Sequence, residues 1–501
     1  MYNIIKKLKA KEKNFLILAF LIPLTVRTIP EILSWPYPTG FDSLMYVNAM
    51  LKGYPFNKPI LALFKDPFLF YMLAWLMNFI VGDLLITMKL IGIIIFSFFC
   101  LALYGYARVA LKWNYSKSLM LSVLAGSYFV SLGMSWQMYR MSLGLAFFIL
   151  ALAVVRLKLF RFKIISITTL CILTVLSHDI AALILFILLT LVFFTKQEVG
   201  IKEMMATTPS IFLFIYQHYN PITGEVLIPT YAYQSVSTIY SFLYITCSLF
   251  YMFLPIGPII ILGLRKYKHN TDILYLSLIC LLFIYMPVYS PSAPYAGHWY
   301  RWALLLACPI FFYSVEGLDL LWNVGDKTCK KLKIGHILAV TILVVNFLMT
   351  ICYVTILPES QILYFGEWNN YKQFIPTSML QNSVSLRDTP NVIEALTWIE
   401  SNFNHDKVTL VLHEAMDNWA GITIGETIEH IRIDEVIISS PIRKNTSERL
   451  LEVAETEYVK GKDVYTIWWV AGKGWYNMPK LPEQFIEIKH FNNIAVYKYV
   501  S

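Results

Sequence analysis

In the stretch WPYPTGFDSLMYVNAMLKGYPF, residues 35–56, a single carboxylate, Asp42, stands among turn formers and aromatic residues directly after a long apolar segment. A carboxylate with few polar neighbours can accept a proton from a hydroxyl group. Residues of complementary type recur at the ends of other apolar segments. Lys65 and Asp66 follow in the same connection, and Arg140 lies in SWQMYRMSLG. His178 and Asp179 are adjacent in VLSHDIAAL, and His298 and Arg301 open YAGHWYRWALLL. The carboxylates suit proton abstraction. The Arg, Lys and His side chains suit an anion, and arginine adds a forked donor pair that matches a phosphate.

Each residue also has an ordinary reading. Arg140 and Arg301 can snorkel to headgroups, and Lys65 can anchor an interface. Asp179 can cap the helix it precedes. Asp66 before Pro67 can be an N-cap followed by proline at the first helical position. Asp42 after Gly40 can be a turn residue. The set says more than its members, because separate parts of the chain bring these groups to one depth and one side.

That placement depends on the elements that carry them. The chain has 501 residues, 57% hydrophobic and only 15% charged, against about 25% charged in a soluble protein. Apolar runs of roughly 18 residues or more recur, the length needed to cross a bilayer core. The expected fold is an α-helical polytopic membrane protein with about eleven spans, near 14–30, 84–107, 118–134, 137–155, 163–177, 180–195, 203–217, 237–264, 272–288, 298–316 and 335–357. With the basic N-terminus IIKKLKAKEKN inside, the connections 108–117, 156–163, 196–202, 265–269 and 327–333 also fall inside, and each is basic. Connections near 135, 178, 218–236 and 289–297 hold almost no Lys or Arg, as the positive-inside rule requires. The net charge of +9 is thereby accounted for without nucleic acid.

The segment DPFLFYMLAWLMNFIVGD, 66–83, decides the parity. Its apolar core is about 15 residues, short for a span, so it reads as a helix lying in or dipping into the outer interface. The first external loop, 31–83, is therefore long and structured. The first apolar segment has no small-residue cleavage site after it and reads as an uncleaved anchor.

Residues 358–501 are mixed in composition and predict a small α/β domain on the outer side. Helices are expected over 389–403 and 447–462, strands over 407–414 and 463–471, and a hairpin over 485–500 turning at Asn492-Asn493. The seven cysteines all fall before this domain, in apolar segments or an inner connection, so they do not fix the compartment. There is no Walker loop, dinucleotide fingerprint or paired CxxC, which argues against a self-sufficient ATP-driven transporter and against a zinc or redox module.

The order of features resembles the GT-C superfamily of integral-membrane glycosyltransferases, which includes protein O-mannosyltransferases, aminoarabinose transferases and the catalytic subunit of oligosaccharyltransferase. The residues that carry the likeness are GFDSLMYVNAMLKGYPF with its early acidic residue, KDPFLFYMLAWLMNFIVGD, which is similar to a K-P-P-L-x-Y-W stretch, the span LLITMKLIGIIIFSFFCLALYGYARVAL, and a C-terminal outer domain ending FNNIAVYKYV. Three departures stand out. Phe41-Asp42-Ser43 offers one acidic residue where many members have a pair, Asp66 stands where some members have a first proline, and W-W-D-Y-G is absent, MDNWAG being a poor echo.

The resemblance implies transfer of a sugar, with inversion, from a polyprenyl-phosphate donor to a glycan, lipid or protein acceptor at the extracytoplasmic face. Asp42 would be the catalytic base. Arg301, Arg140, His298, Lys65 and His178 would hold the donor phosphate, with Asp66 and Asp179 as secondary acidic candidates. No motif demands a cofactor, and a divalent metal stays open. A flippase of lipid-linked sugars is the main rival, but transporter sites lie near the midplane between repeats, and no internal duplication is visible here. A polysaccharide polymerase or ligase also fits outer Arg and His residues, though it would more naturally carry a large late loop.

Overall fold

The computed structural model describes residues 10–40, 42–157, 162–196, 199–220, 225–226, 237–267, 270–293, 296–326, 332–355, 382–433, 446–470 and 480–501. The basic residues 1–9, Phe41, most of the 218–236 connection, the inner connection at 327–331 and the start of the C-terminal region at 356–381 lie outside the described residues.

All eleven apolar segments are helical. Five are long and apolar enough to cross a membrane: Glu12–Leu33, Leu84–Val109, Thr238–Arg265, Ala296–Asn323 and Gly335–Thr355. Tyr115–Ser127 and Phe129–Trp136 form a sixth candidate bent by 60°. Tyr139–Val155, Lys163–Ser177, Asp179–Thr195 and Thr271–Ile284 are shorter apolar helices. These helices make the chain an α-helical membrane protein. The expected boundaries 118–134 and 237–264 run through real breaks. Tyr128 is extended at φ −74° and ψ 133°, and the second segment passes through a short 3-10 turn at Leu254–Ile256, where Pro255 lacks the N–H that a continuous helix needs. The breaks face each other, and the Tyr128 hydroxyl donates to the Met252 carbonyl at 2.6 Å. Helix interruptions at membrane depth need such internal partners.

The interfacial segment forms the helix Leu69–Val81. Thirteen residues span about 20 Å, short of a hydrocarbon core of about 30 Å. Leu76, Phe79 and Ile80 are exposed on it, while Phe70, Tyr71 and Ala74 pack inward. Asp66 does not cap this helix: the N-cap position is Phe68, and the Asp66 carboxylate pairs instead with Lys58 at 2.5 Å.

The loop that delivers Asp42 is built on close contacts. Gly40 has φ +109°, and a Cβ there would sit 1.5 Å from the Trp136 carbonyl oxygen. Gly82, at the C-cap of Leu69–Val81, also has positive φ (+76°) but open space around it. Gly40→Ala therefore has a clash to relieve as well as the left-handed strain of about 1–2 kcal/mol, whereas Gly82→Ala has the strain alone. The expected result is a markedly larger fall in thermal midpoint, measured on detergent-solubilised protein, for Gly40→Ala. Equal shifts would show that the Gly40 contact is not close in the folded protein.

The C-terminal region is a five-stranded mixed sheet with helices. From one edge the order is Glu429–Ile433, Val408–His413, Asp463–Trp469, Ile494–Tyr499 and Phe485–Phe491. The first three strands run parallel and the last two pair antiparallel. The hairpin turns at Asn492 (φ +52°), as Asn492-Asn493 predicts. Helices Thr389–Asn402 and Thr446–Val459 match expectation. The helix Glu414–Thr423 and the edge strand were not anticipated. They are the elements that meet the first loop. Asn48 Nδ2 donates to the Asn418 carbonyl at 3.0 Å, Asn382 Nδ2 donates to the Pro38 carbonyl at 3.2 Å, and Tyr37 stands edge-on to Trp419 at 5.4 Å. A Cβ on Gly421 would press on Asn48 at 2.7 Å.

Candidate active site

Asp42 is the N-cap residue of the helix Ser43–Leu51, but its side chain makes no capping hydrogen bond. Most N-cap aspartates accept from the second or third helical N–H; this carboxylate is left for another use. It is partly exposed by solvent contact yet surrounded by protein on most sides. Burial raises its pKa above the usual carboxylate value, and three cations work against that, Arg301 most strongly, then Arg432 and Arg140. Arg301 opens the long helix Trp299–Asp326, and Arg140 opens Tyr139–Val155. Both Nε atoms are buried without a hydrogen-bond partner. An unsatisfied buried guanidinium N–H is costly, and an anionic ligand between these helix starts would remove that cost.

Aromatic rings wall this space. Tyr46, one turn along from Asp42, packs on Phe70 at 4.8 Å, Tyr139 at 5.6 Å and Tyr71 at 5.9 Å. Its hydroxyl is pushed well above the ordinary range, first by burial and then by the Asp42 charge. It stays protonated at any working pH and can donate. The Arg140 guanidinium lies 6.0 Å from the centre of the Tyr71 ring.

His178 and Asp179 lie at the same end of the bundle. His178 sits between the helices Lys163–Ser177 and Asp179–Lys196, with its Nδ1 3.1 Å from the Ile180 N–H and 3.1 Å from Asp179 Oδ1. The first contact needs a lone pair on Nδ1 and the second needs a proton there. Burial lowers the ring's pKa to about 4, the Asp179 charge opposing and the Arg140 and Arg301 charges assisting. A neutral ring protonated on Nε2 accepts from Ile180, and one protonated on Nδ1 donates to Asp179. His178 is thus a neutral hydrogen-bond donor rather than the cation its residue type suggested. His298 is charge-coupled to Arg301, Asp179 and His178.

The sequence-predicted set therefore divides. Asp42, Arg140, Arg301, His178, Asp179 and His298 form one electrostatically coupled group. Lys65 turns away from it: its ammonium donates to the Tyr219 carbonyl at 2.5 Å and lies over the Tyr216 ring at 4.9 Å. Asp66 pairs with Lys58, and its charge reaches Tyr54 and Tyr71, the second of which also feels Arg140 and Asp42. Arg432 was not anticipated. It sits on the edge strand of the C-terminal sheet, paired with Glu414 Oε2 at 3.0 Å. On the same strand face, His430 Nε2 is 3.7 Å from Asp417 Oδ1. The signal available for it was the alternation in EHIRI, which puts His430 and Arg432 on one face. Among the described residues no three His, Cys, Asp or Glu side chains converge in a metal-binding group.

No family model matches the chain, and no curated protein matches it. Among solved structures, the apo form of the Archaeoglobus fulgidus oligosaccharyltransferase aligns over 93% of this chain and 70% of its own, at 12% identity and a TM-score of 0.47. The same enzyme in complex with Zn and sulfate aligns over 91% and 68%, at 12% identity and a TM-score of 0.49. A likeness at this level assigns no activity, and the functional reading rests on the residues around Asp42.

Proposed function

We propose that the protein is a membrane glycosyltransferase that moves a sugar from a polyprenyl-phosphate donor to an acceptor hydroxyl, with inversion, on the extracytoplasmic side. In this reading residues 1–357 are the catalytic membrane domain and 358–501 an extracytoplasmic domain that covers the site. What supports it is an Asp42 carboxylate that caps no helix N–H and feels the charges of Arg301 and Arg140, two arginines whose Nε atoms are buried without a hydrogen-bond partner. Asp42 takes the proton of the acceptor hydroxyl as its oxygen bonds to the anomeric carbon. The bond from that carbon to the phosphate oxygen breaks, and its electron pair stays on the phosphate. Arg301 and Arg140 hold the leaving phosphate, so it departs without needing a proton. His178 adds a neutral N–H. The donor's lipid tail stays in the bilayer, and the acceptor is a glycan, lipid or protein.

The test is to supply membranes containing the protein with a labelled polyprenyl-phosphate sugar and follow both halves of the label. Free polyprenyl phosphate and a glycosylated acceptor should accumulate together, in proportion to the protein. Movement of intact lipid-linked sugar between leaflets, with no free polyprenyl phosphate, would overturn transfer and establish a flippase.

A further inference from the structure

Three charged side chains lie buried at the loop end of the first two long helices. Arg27 and Glu31 are one turn apart on Ala10–Leu33, and Lys89 is near the start of Leu84–Val109. They are 0%, 3% and 3% exposed. Arg27 Nη2 is 2.7 Å and Lys89 Nζ 3.3 Å from the Glu31 carboxylate. Removing such charges from water is expensive, and an apolar cluster of similar volume would commonly serve stability as well. The fold therefore needs another reason to place them here.

That reason is visible in the remaining bonds of Glu31 and Lys89, which reach the segment leading to Asp42, while Arg27 pairs with Glu31 from beneath. Lys89 Nζ donates to Ser34 Oγ at 3.0 Å and to the Tyr37 carbonyl. The Glu31 carboxylate accepts from the Thr39 backbone N–H at 3.2 Å and from the Thr39 hydroxyl. The Thr39 carbonyl accepts from Ser43 Oγ at 2.6 Å and from the Tyr139 hydroxyl at 3.3 Å. The Ser43 hydroxyl proton is shared with the Trp136 carbonyl, 3.1 Å away. Asp42 is thus bracketed by two anchored residues, Thr39 and Ser43, and the chain between them passes Gly40 against Trp136. Tyr139 belongs to the helix that also carries Arg140, so the same bonds tie the carboxylate to one of its cations.

We infer that Arg27, Glu31 and Lys89 are positioning residues, a charge-paired brace beneath the catalytic loop that fixes the Asp42 carboxylate against the donor site. The inference rests on the assignment of Asp42 as the base. A loop held by charge-assisted bonds has less freedom than one held by apolar packing, which is non-directional. A displacement of about 1 Å in a catalytic group can cost on the order of 10²-fold in rate.

The experiment removes the three charges together, as Arg27→Met/Glu31→Leu/Lys89→Met, so that no lone buried charge is left to unfold the protein. Turnover per folded molecule should fall by on the order of 10²-fold with donor binding unchanged. Added to Asp42→Asn, the triple change should cause little further loss, because both act through one carboxylate. Independent, multiplying losses would reveal a structural role and overturn the inference. So would full turnover in the triple variant when Asp42→Asn is inactive. Full turnover in Asp42→Asn itself would remove the base assignment and the inference with it. Thr39→Val keeps the charges and the side-chain shape while cutting the hydroxyl link to Glu31. It serves if the triple variant does not fold: a several-fold loss of turnover at unchanged donor binding supports the brace, and full turnover overturns it.

Discussion

Asp42→Asn should lower sugar transfer by on the order of 10²-fold or more while leaving expression, folding and donor binding close to wild type. Asparagine keeps the side-chain shape and is an equally good N-cap residue. The native carboxylate makes no capping bond, so the helix Ser43–Leu51 loses nothing by the change. What is lost is basicity. A general base acts only as the acceptor O–H bond breaks, so the deficit should appear in turnover and not in donor affinity. The assay is transfer from a polyprenyl-phosphate sugar pool in membranes at matched protein level. Full activity would remove Asp42 as the base. Asp66, beside Lys58 at 2.5 Å, and Asp179, beside His178 at 3.1 Å, would then be the next candidates for the base.

The parts of this molecule that the sequence discloses are those set by short-range rules. Apolar runs marked where helices form, five of them long enough alone to cross a membrane and a sixth as a bent pair, and Asn492-Asn493 placed the terminal hairpin. Asp42, Arg140, His178, Asp179, His298 and Arg301 were legible because each stands at the end of an apolar segment, and helix ends of one side meet. Lys65 and Asp66 satisfied the same rule but found nearer partners in Tyr219 and Lys58, which no spacing predicts. The break at Tyr128 was hidden because tyrosine carries no breaking signal, whereas Pro255 did carry one. Lys89 was hidden for the opposite reason. A single lysine inside the run LLITMKLIGIII looks like a tolerated exception until the fold brings Glu31 beside it. Arg432 could not be found without the sheet, since the docking of the C-terminal region on the first loop, through Asn418 on Asn48 and Trp419 on Tyr37, brings that edge strand towards Asp42.

Arg301→Ala should weaken donor binding and also move the pH dependence of turnover. A charge-assisted hydrogen bond to a buried anion is worth roughly 1.5–3 kcal/mol, which corresponds to about a 10- to 100-fold loss of affinity. The pH effect follows from the order of forces on Asp42. Burial pushes its carboxyl up, and Arg301 is the strongest of the charges that pull it back. The base works only when ionised, so turnover falls as pH drops through its folded value. Without Arg301 that value rises, and the acid limb of the profile should shift to higher pH. Arg301→Lys separates the two effects. It keeps a positive charge near Asp42, so the acid limb should stay near its wild-type position. Its ammonium cannot form the fork that a guanidinium offers to phosphate, so donor affinity should recover only in part. Donor affinity is read by titrating the lipid-linked sugar, and the limb from turnover across pH at saturating donor. An arginine that merely snorkels to the headgroups would give unchanged affinity and an unmoved limb in both variants, and that pair of results would take Arg301 out of the site.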